Sequence, residues 1–208
     1  MNKHLPIAAA MFLSLALSAS AGIHLALFGG YAATPGKASG EAPVFGAGLG
    51  IDLTPTLSLD LTAGRWVLSV RSTSDGLSRG RLTEIPVTLD LRARFPFGRD
   101  LAAYVSGGLG YAFHGFALDG EVAEGWRKPG FEVSERVDHG LAIQIGTGLT
   151  VPLGPAVDFD LGARYTILRT KGSWIMADLV GGQSLGGTID KLDFDALSVV
   201  AGFRVAFR

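Results

Sequence analysis

Alternation at a period of two residues constrains this chain more than any other feature. In segment 44–53, Phe45, Ala47, Leu49, Ile51 and Leu53 share one face, and Val44, Gly46, Gly48, Gly50 and Asp52 share the other. Segment 84–95 sets Ile85, Val87, Leu89, Leu91, Ala93 and Phe95 against Glu84, Pro86, Thr88, Asp90, Arg92 and Arg94. Segments 102–113, 140–151 and 157–168 continue the pattern. Successive side chains on a strand point to opposite faces, so these segments are strands. Their apolar face has 29 positions without a charge, whereas the 29 interleaved positions hold 8 charges and 9 glycines. Three less regular strands, 22–31, 57–70 and 192–207, bring the number to eight. In 57–70 the apolar parity moves from Leu57, Leu59 and Leu61 to Trp66, Leu68 and Val70, which predicts a bulge near Gly64. A similar slip falls near Ala196 and Leu197.

The connections between strands add direction. Segments 32–43, 71–81, 114–138 and 169–191 are long, and 54–56, 96–100 and 152–156 between them are short. An up-and-down chain connected in this way gathers its long loops at one end, with its short turns and both strand termini at the other. That is the layout of an eight-stranded antiparallel transmembrane β-barrel.

The segment before the first strand fits export. Lys3 and His4 precede an apolar run from Leu5 to Leu17, and Ala19-Ser20-Ala21 supplies a cleavage site before Gly22. The run is shorter than the roughly 20 residues of a spanning helix. Residues 1–21 are therefore read as a signal peptide and 22–208 as the barrel domain. The absence of cysteine excludes a disulfide framework and thiolate metal sites, and a net charge of -1 gives no footprint for nucleic acid.

Period two does not itself say which face is inside, since a secreted lipocalin-type barrel is apolar within and polar without. Two features favour the membrane. The polar face is rich in glycine instead of lysine, of which the whole chain has 5. Aromatics also collect on the apolar face near strand ends: Phe95, Phe159, Phe203 and Phe207 toward the short turns, and Tyr111, Phe113 and Tyr165 toward the long loops. Paired aromatic girdles belong to barrels in a bilayer, whose lipids are then the first partner.

The stretches Glu84-Ile85-Pro86-Val87-Thr88-Leu89 and Tyr104-Val105-Ser106-Gly107-Gly108-Leu109-Gly110-Tyr111 resemble the small outer-membrane β-barrel superfamily of OmpW-like and OmpA- or opacity-like barrels. The closing Ala201-Gly202-Phe203-Arg204-Val205-Ala206-Phe207 is similar to that family's last strand, and Phe28-Gly29-Gly30-Tyr31 to the OmpW side. The resemblance covers nearly the whole mature chain and implies location in the outer membrane of a Gram-negative-type cell. It also implies insertion by the outer-membrane assembly machinery, which usually reads a terminal aromatic. Here Arg208 follows Phe207, a departure from the pattern. For OmpW-like members the resemblance implies passage of small hydrophobic solutes toward a lateral exit.

The expected lumen carries Glu84, Asp90, Arg92, Arg94, Asp158, Asp160, Arg164 and Arg204. Charges of both signs in so narrow a space must pair. Two readings stand: an ion-pair network that plugs the barrel, or a narrow polar path kept open by glycines such as Gly46, Gly50 and Gly108. Trp174, Ile175 and Met176 open an apolar stretch of an expected loop, which either caps an entry or folds onto the rim. A surface-interaction barrel without transport is the alternative function. An outer-membrane acyl hydrolase is remote, because Ser106 and His114 form no family-spaced signature with an acid. Asp158 with Asp160, and Asp193 with Asp195, are weak cation candidates on their strands, and no cofactor is called for.

Overall fold

A computed structural model describes residues 22–34, 40–70, 79–98 and 100–207. The expected signal peptide, 1–21, lies outside the described residues. Ten strands and one helix follow in order: β1 (Ile23–Ala33), β2 (Glu41–Thr54), β3 (Leu57–Val70), β4 (Gly80–Pro96), β5 (Ala102–Leu118), α1 (Gly120–Arg127), β6 (Phe131–Val137), β7 (Gly140–Pro152), β8 (Val157–Asp178), β9 (Ser184–Asp193) and β10 (Ala196–Phe207).

Eight of these strands close a ring. Each of β1, β2, β3, β4, β5, β7, β8 and β10 pairs antiparallel with the next, and β10 returns to β1 from Ile23↔Phe207 to Ala33↔Leu197. Closure leaves no free edge within the ring, which a sheet in hydrocarbon requires. The ladders pair residues of like parity, as in Leu49↔Leu61, Leu61↔Leu89 and Leu89↔Leu109. Even-numbered side chains therefore face inward around the ring, and odd-numbered ones face outward.

That single parity corrects two expectations. No bulge interrupts β3 at Gly64, since Ala47↔Ala63 and Val44↔Trp66 belong to one unbroken register with β2. Trp66, Leu68 and Val70 are even-numbered and buried, so the shift in apolar parity marks a change in what fills the interior. The slip near Ala196 is a break between strands, with Phe194 and Asp195 separating β9 from β10.

The two longest loops are largely ordered structure. β8 runs 22 residues, well beyond the ring, and its outer part pairs with β6 on one side and β9 on the other. These three strands extend the wall on the lines of β7 and β10. α1 precedes β6, with Asp119 capping it by accepting from the Glu121 N–H at 3.2 Å. Asp178 closes the β8–β9 turn, its carboxylate accepting from the N–H groups of Val180 and Gly181 at 2.8 and 2.9 Å. β6 alternates Phe131, Val133 and Val137 against Glu132, Ser134 and Arg136 over only seven residues, too short a run to stand out within the connection 114–138.

Candidate functional site: a lumen in two halves

The turn-side half of the lumen is a charge network. Arg92, from β4, donates from Nη1 to Asp160 Oδ2 at 2.7 Å and from Nη2 to Asp160 Oδ1 at 2.9 Å. Thr150 Oγ1 donates to the same Asp160 Oδ1 at 2.6 Å. Arg204 sits between two acids, 3.6 Å from Asp60 and 3.9 Å from Asp160. His24 Nε2 lies 2.5 Å from Asp60 Oδ1, and Arg94 reaches Asp52 at 2.8 Å. Asp90 accepts from Thr88, Thr62 and Gln144 at 2.7, 2.9 and 3.1 Å. Arginine faces are covered too: Arg92 lies 3.6 Å over the Tyr104 ring and Arg164 lies 4.1 Å over Phe28.

The glycines make room for these side chains. A Cβ on Gly50 would stand 2.1 Å from Asp60 Oδ1 and 2.2 Å from His24 Nε2, and one on Gly108 would stand 2.1 Å from Asp90 Oδ1. Their volume is already occupied. The cavity within the network, bounded by Asp60, Arg92, Tyr104, Asp160 and Arg164, measures about 40 Å³, enough for a few waters. Below it the lumen widens to a mouth of about 620 Å³ at the short turns, where Asp52, Arg94, Asp158 and Arg204 line the wall.

The loop-side half is apolar. Trp66, Leu68, Leu82, Leu168, Leu192 and Phe194 are buried there in one cluster, with Phe116 and Trp174 packed against it. Among the described residues Glu84 is the buried acid there, alongside the buried polar side chains His114 and Thr170. Its side chain is 0% exposed, and it accepts from Trp66 Nε1 at 2.5 Å without joining the ion-pair network below. Where the halves meet, the β3–β4 ladder is interrupted: Ala63↔Val87 is followed by Trp66↔Glu84, and Gly64 and Arg65 go unpaired beside Ile85 and Pro86. Pro86 has no N–H to donate, which explains the gap. A cavity of about 10 Å³, lined by Gly64, Trp66, Pro86, Phe28 and Val44 among others, lies directly behind this seam.

Outside, odd-numbered residues present an apolar belt. Phe95, Phe203 and Phe207 are exposed at the turn end, and Tyr31, Phe45, Tyr111 and Phe113 toward the loop end. The rings meet edge to face, Phe159 with Phe203 at 5.5 Å and Tyr111 with Phe113 at 5.4 Å between centroids. Leucines such as Leu61, Leu89 and Leu109 fill the height between them. A closed ring, an apolar belt and two aromatic girdles make a transmembrane β-barrel.

A family model described as the outer membrane protein beta-barrel domain matches residues 6–204. The chain belongs to this family. Among solved structures, OprG from Pseudomonas aeruginosa is similar at a TM-score of 0.67 and 17% identity, covering 90% of this chain and 96% of that one. Neisserial surface protein A matches at a TM-score of 0.57 and 14% identity over 91% and 98% of the two chains. A major outer membrane protein from Thermus thermophilus matches at 0.55 and 13% over 89% and 99%. No curated protein matches the sequence. The protein is thus a small barrel of the Gram-negative outer membrane, with its lipids around the belt and its short turns toward the periplasm.

Within this family barrel, the residues singled out from sequence divide. Asp90, Arg92, Asp160, Arg164 and Arg204 meet in the network, Arg94 and Asp158 line the periplasmic mouth, and Glu84 stands apart in the apolar half. Trp174, Ile175 and Met176 do not lie in a loop but in the outer part of β8, between β6 and β9. Asp193 and Asp195 are not lumen charges: Phe194 turns inward between them, and both contact Arg169 on the outside. Asp160 is likewise taken up by arginines, so neither carboxylate pair is left for a cation. Ser106 and His114 are eight positions apart on β5, about 26 Å at the rise of a strand, and form no nucleophile–base pair. Sequence reasoning missed His24, Asp60 and Tyr104. Carrying the even parity of Asp52 and Glu84 into the neighbouring strands would have found all three.

Proposed function

We propose that the barrel takes up small hydrophobic solutes at its outer, apolar half and releases them sideways into the membrane. One observation carries this reading: the lumen is apolar above and filled by paired charges below. A solute that enters from outside meets Trp66, Leu68, Leu82 and Phe194, then a floor of arginines and carboxylates whose disruption is costly. The route of least resistance is the wall at Gly64 and Pro86, where the ladder lacks its bonds and a small cavity already stands. The family resemblance to OmpW-like barrels supports the same direction.

The test is uptake in a deletion strain with and without the gene restored, together with planar-bilayer recording of the purified barrel. Restored uptake of a small hydrophobic solute without discrete ion conductance is expected. Equal uptake with and without the protein sinks the proposal. For the segment before the barrel, removal of residues 1–21 is proposed, and N-terminal sequencing of the membrane form should begin at Gly22.

A second reading, interaction at the cell surface, draws on the outcrop of β6, β8 and β9. Ile175, Leu179, Val180 and Leu185 are exposed there, Val180 by 89%. Such a patch outside the lipid belt is a feature of contact surfaces. Loss of cell adhesion on deleting the gene, with uptake unchanged, would favour it.

A further inference from the structure

Among the described residues, Glu84 is the one acid set into the apolar half of the lumen beside the seam. Its Oε2 accepts from Trp66 Nε1 at 2.5 Å, and its Oε1 is buried without a hydrogen-bond partner among the described residues. The register places it between Trp66 on β3 and His114 on β4's other neighbour, β5. No hydrogen bond joins Glu84 to His114, whose ring packs against Phe194 with centroids 6.1 Å apart. The inward neighbours on its own strand are Leu82 and Pro86. Among the described residues no cationic side chain pairs with the carboxyl group, in contrast to Asp160 with Arg92 a short way down the same lumen. A buried acceptor left empty is costly, and proteins keep such groups few. An apolar side chain at position 84 would pack the plug without that cost. The Trp66 bond also orients the carboxyl group, since it holds Oε2 and leaves Oε1 as the open acceptor within the apolar cluster.

We propose that Glu84, oriented by Trp66, is a recognition point for the hydrogen-bond donor of an otherwise apolar solute, such as a small alcohol. The donor group, an O–H or N–H, bonds to Oε1 while the hydrocarbon body packs among Leu68, Leu82 and Phe194. In that position the solute lies next to Gly64 and Pro86, so recognition and lateral release share one side of the barrel. The proposal rests on the hydrophobic-uptake reading above and sharpens it to a class of solute.

Trp66 supplies its own reporter. The chain has 3 tryptophans, so replacing Trp126 and Trp174 by Phe leaves Trp66 alone. Detergent-solubilised barrel with this background, checked for folding by the gel mobility of unboiled samples, is titrated with cyclohexanol and with methylcyclohexane, which match in size and differ in the hydroxyl group. Cyclohexanol is expected to shift Trp66 emission and to bind roughly tenfold more tightly, the effect of one buried hydrogen bond to a carboxyl group. Glu84→Met is expected to bring the two affinities together. Equal binding of both compounds to the parent barrel overturns recognition by Glu84 while leaving hydrophobic uptake standing. Binding of neither compound overturns both. The parent comparison decides the matter even where Glu84→Met fails to fold.

Discussion

Arg92 on β4 clasps Asp160 on β8 across the interior, with two strands, β5 and β7, intervening along the wall. The pair is bidentate and nearly buried, and it ties opposite parts of the ring together. Removing Arg92 strips Asp160 of its bidentate partner and leaves it only the longer ionic contact with Arg204, so Arg92→Ala should lower stability by about 3 kcal/mol, measured by urea unfolding in detergent or lipid. The same variant should open the narrowest part of the lumen and produce discrete conductance in planar bilayers where the parent barrel gives none. A silent Arg92→Ala barrel would show that the remaining arginines close the path without it.

The inside and outside of β4 and β5 can be tested at neighbouring positions. Leu89 faces lipid near mid-height, and Leu89→Arg should cost about 2–4 kcal/mol. Gly108 faces the lumen, where a Cβ would meet Asp90 Oδ1 at 2.1 Å and the Leu89 carbonyl oxygen at 2.6 Å. Gly108→Asp should therefore also destabilise, by overpacking and by a second carboxylate against Asp90. Rescue of Gly108→Asp by Asp90→Ala, with no rescue of Leu89→Arg by the same change, separates crowding inside from charge in lipid.

A parity carried evenly along each strand is what made the barrel legible. Phe45, Ile85, Leu109 and Phe203 announce an outer face because lipid accepts only apolar side chains across that height. The inner face has no such uniform rule. Asp60 and Arg204 are inside near the turns, but Trp66 and Leu68 are inside near the loops, and a pattern sought by hydrophobicity alone jumps faces between Leu61 and Trp66. The apparent bulge was the signature of the two-part lumen. The network itself was only partly legible, since Arg92 and Asp160 are 68 residues apart and nothing local to either specifies the other. The outcrop was unreadable for a different reason: β6 alternates over only seven residues, β9 is interrupted by Gly186 and Gly187, and both are held by the length of β8.

Outside the membrane, Asp195 offers a pH test. Burial pushes its carboxyl group up, but bonds from Arg169 and Tyr165 outweigh this and hold it below the ordinary 3.8. It also accepts from the Leu168 N–H at 3.3 Å, where β8 leaves the ring. A depressed acid contributes stability that is present above its unfolded value and lost as pH falls through the folded one. Protection of the Leu168 amide against hydrogen exchange should thus hold from neutral pH to about 4 and decline below it. In Asp195→Asn the protection should be lower at neutral pH and nearly flat across the same range. A decline of equal size in the variant would assign the effect to another group.

The seam between β3 and β4 gives the most direct test of lateral release. Arg65 and Ile85 continue the register of Ala63↔Val87 and Trp66↔Glu84, and their odd parity places both on the outer surface. Directly opposed residues of antiparallel strands stand at a distance that a disulfide spans. The double variant Arg65→Cys and Ile85→Cys, in a chain with no native cysteine, should therefore cross-link on oxidation and pin the wall beside Gly64 and Pro86. Uptake of a hydrophobic solute should fall severalfold in the oxidised barrel and return on reduction. A matched pair at Leu61 and Leu89, where the ladder is intact, should cross-link without changing uptake. If the seam pair forms its disulfide and uptake is unaffected, solutes leave by another route, and the interruption at Pro86 serves only to accommodate proline in the wall.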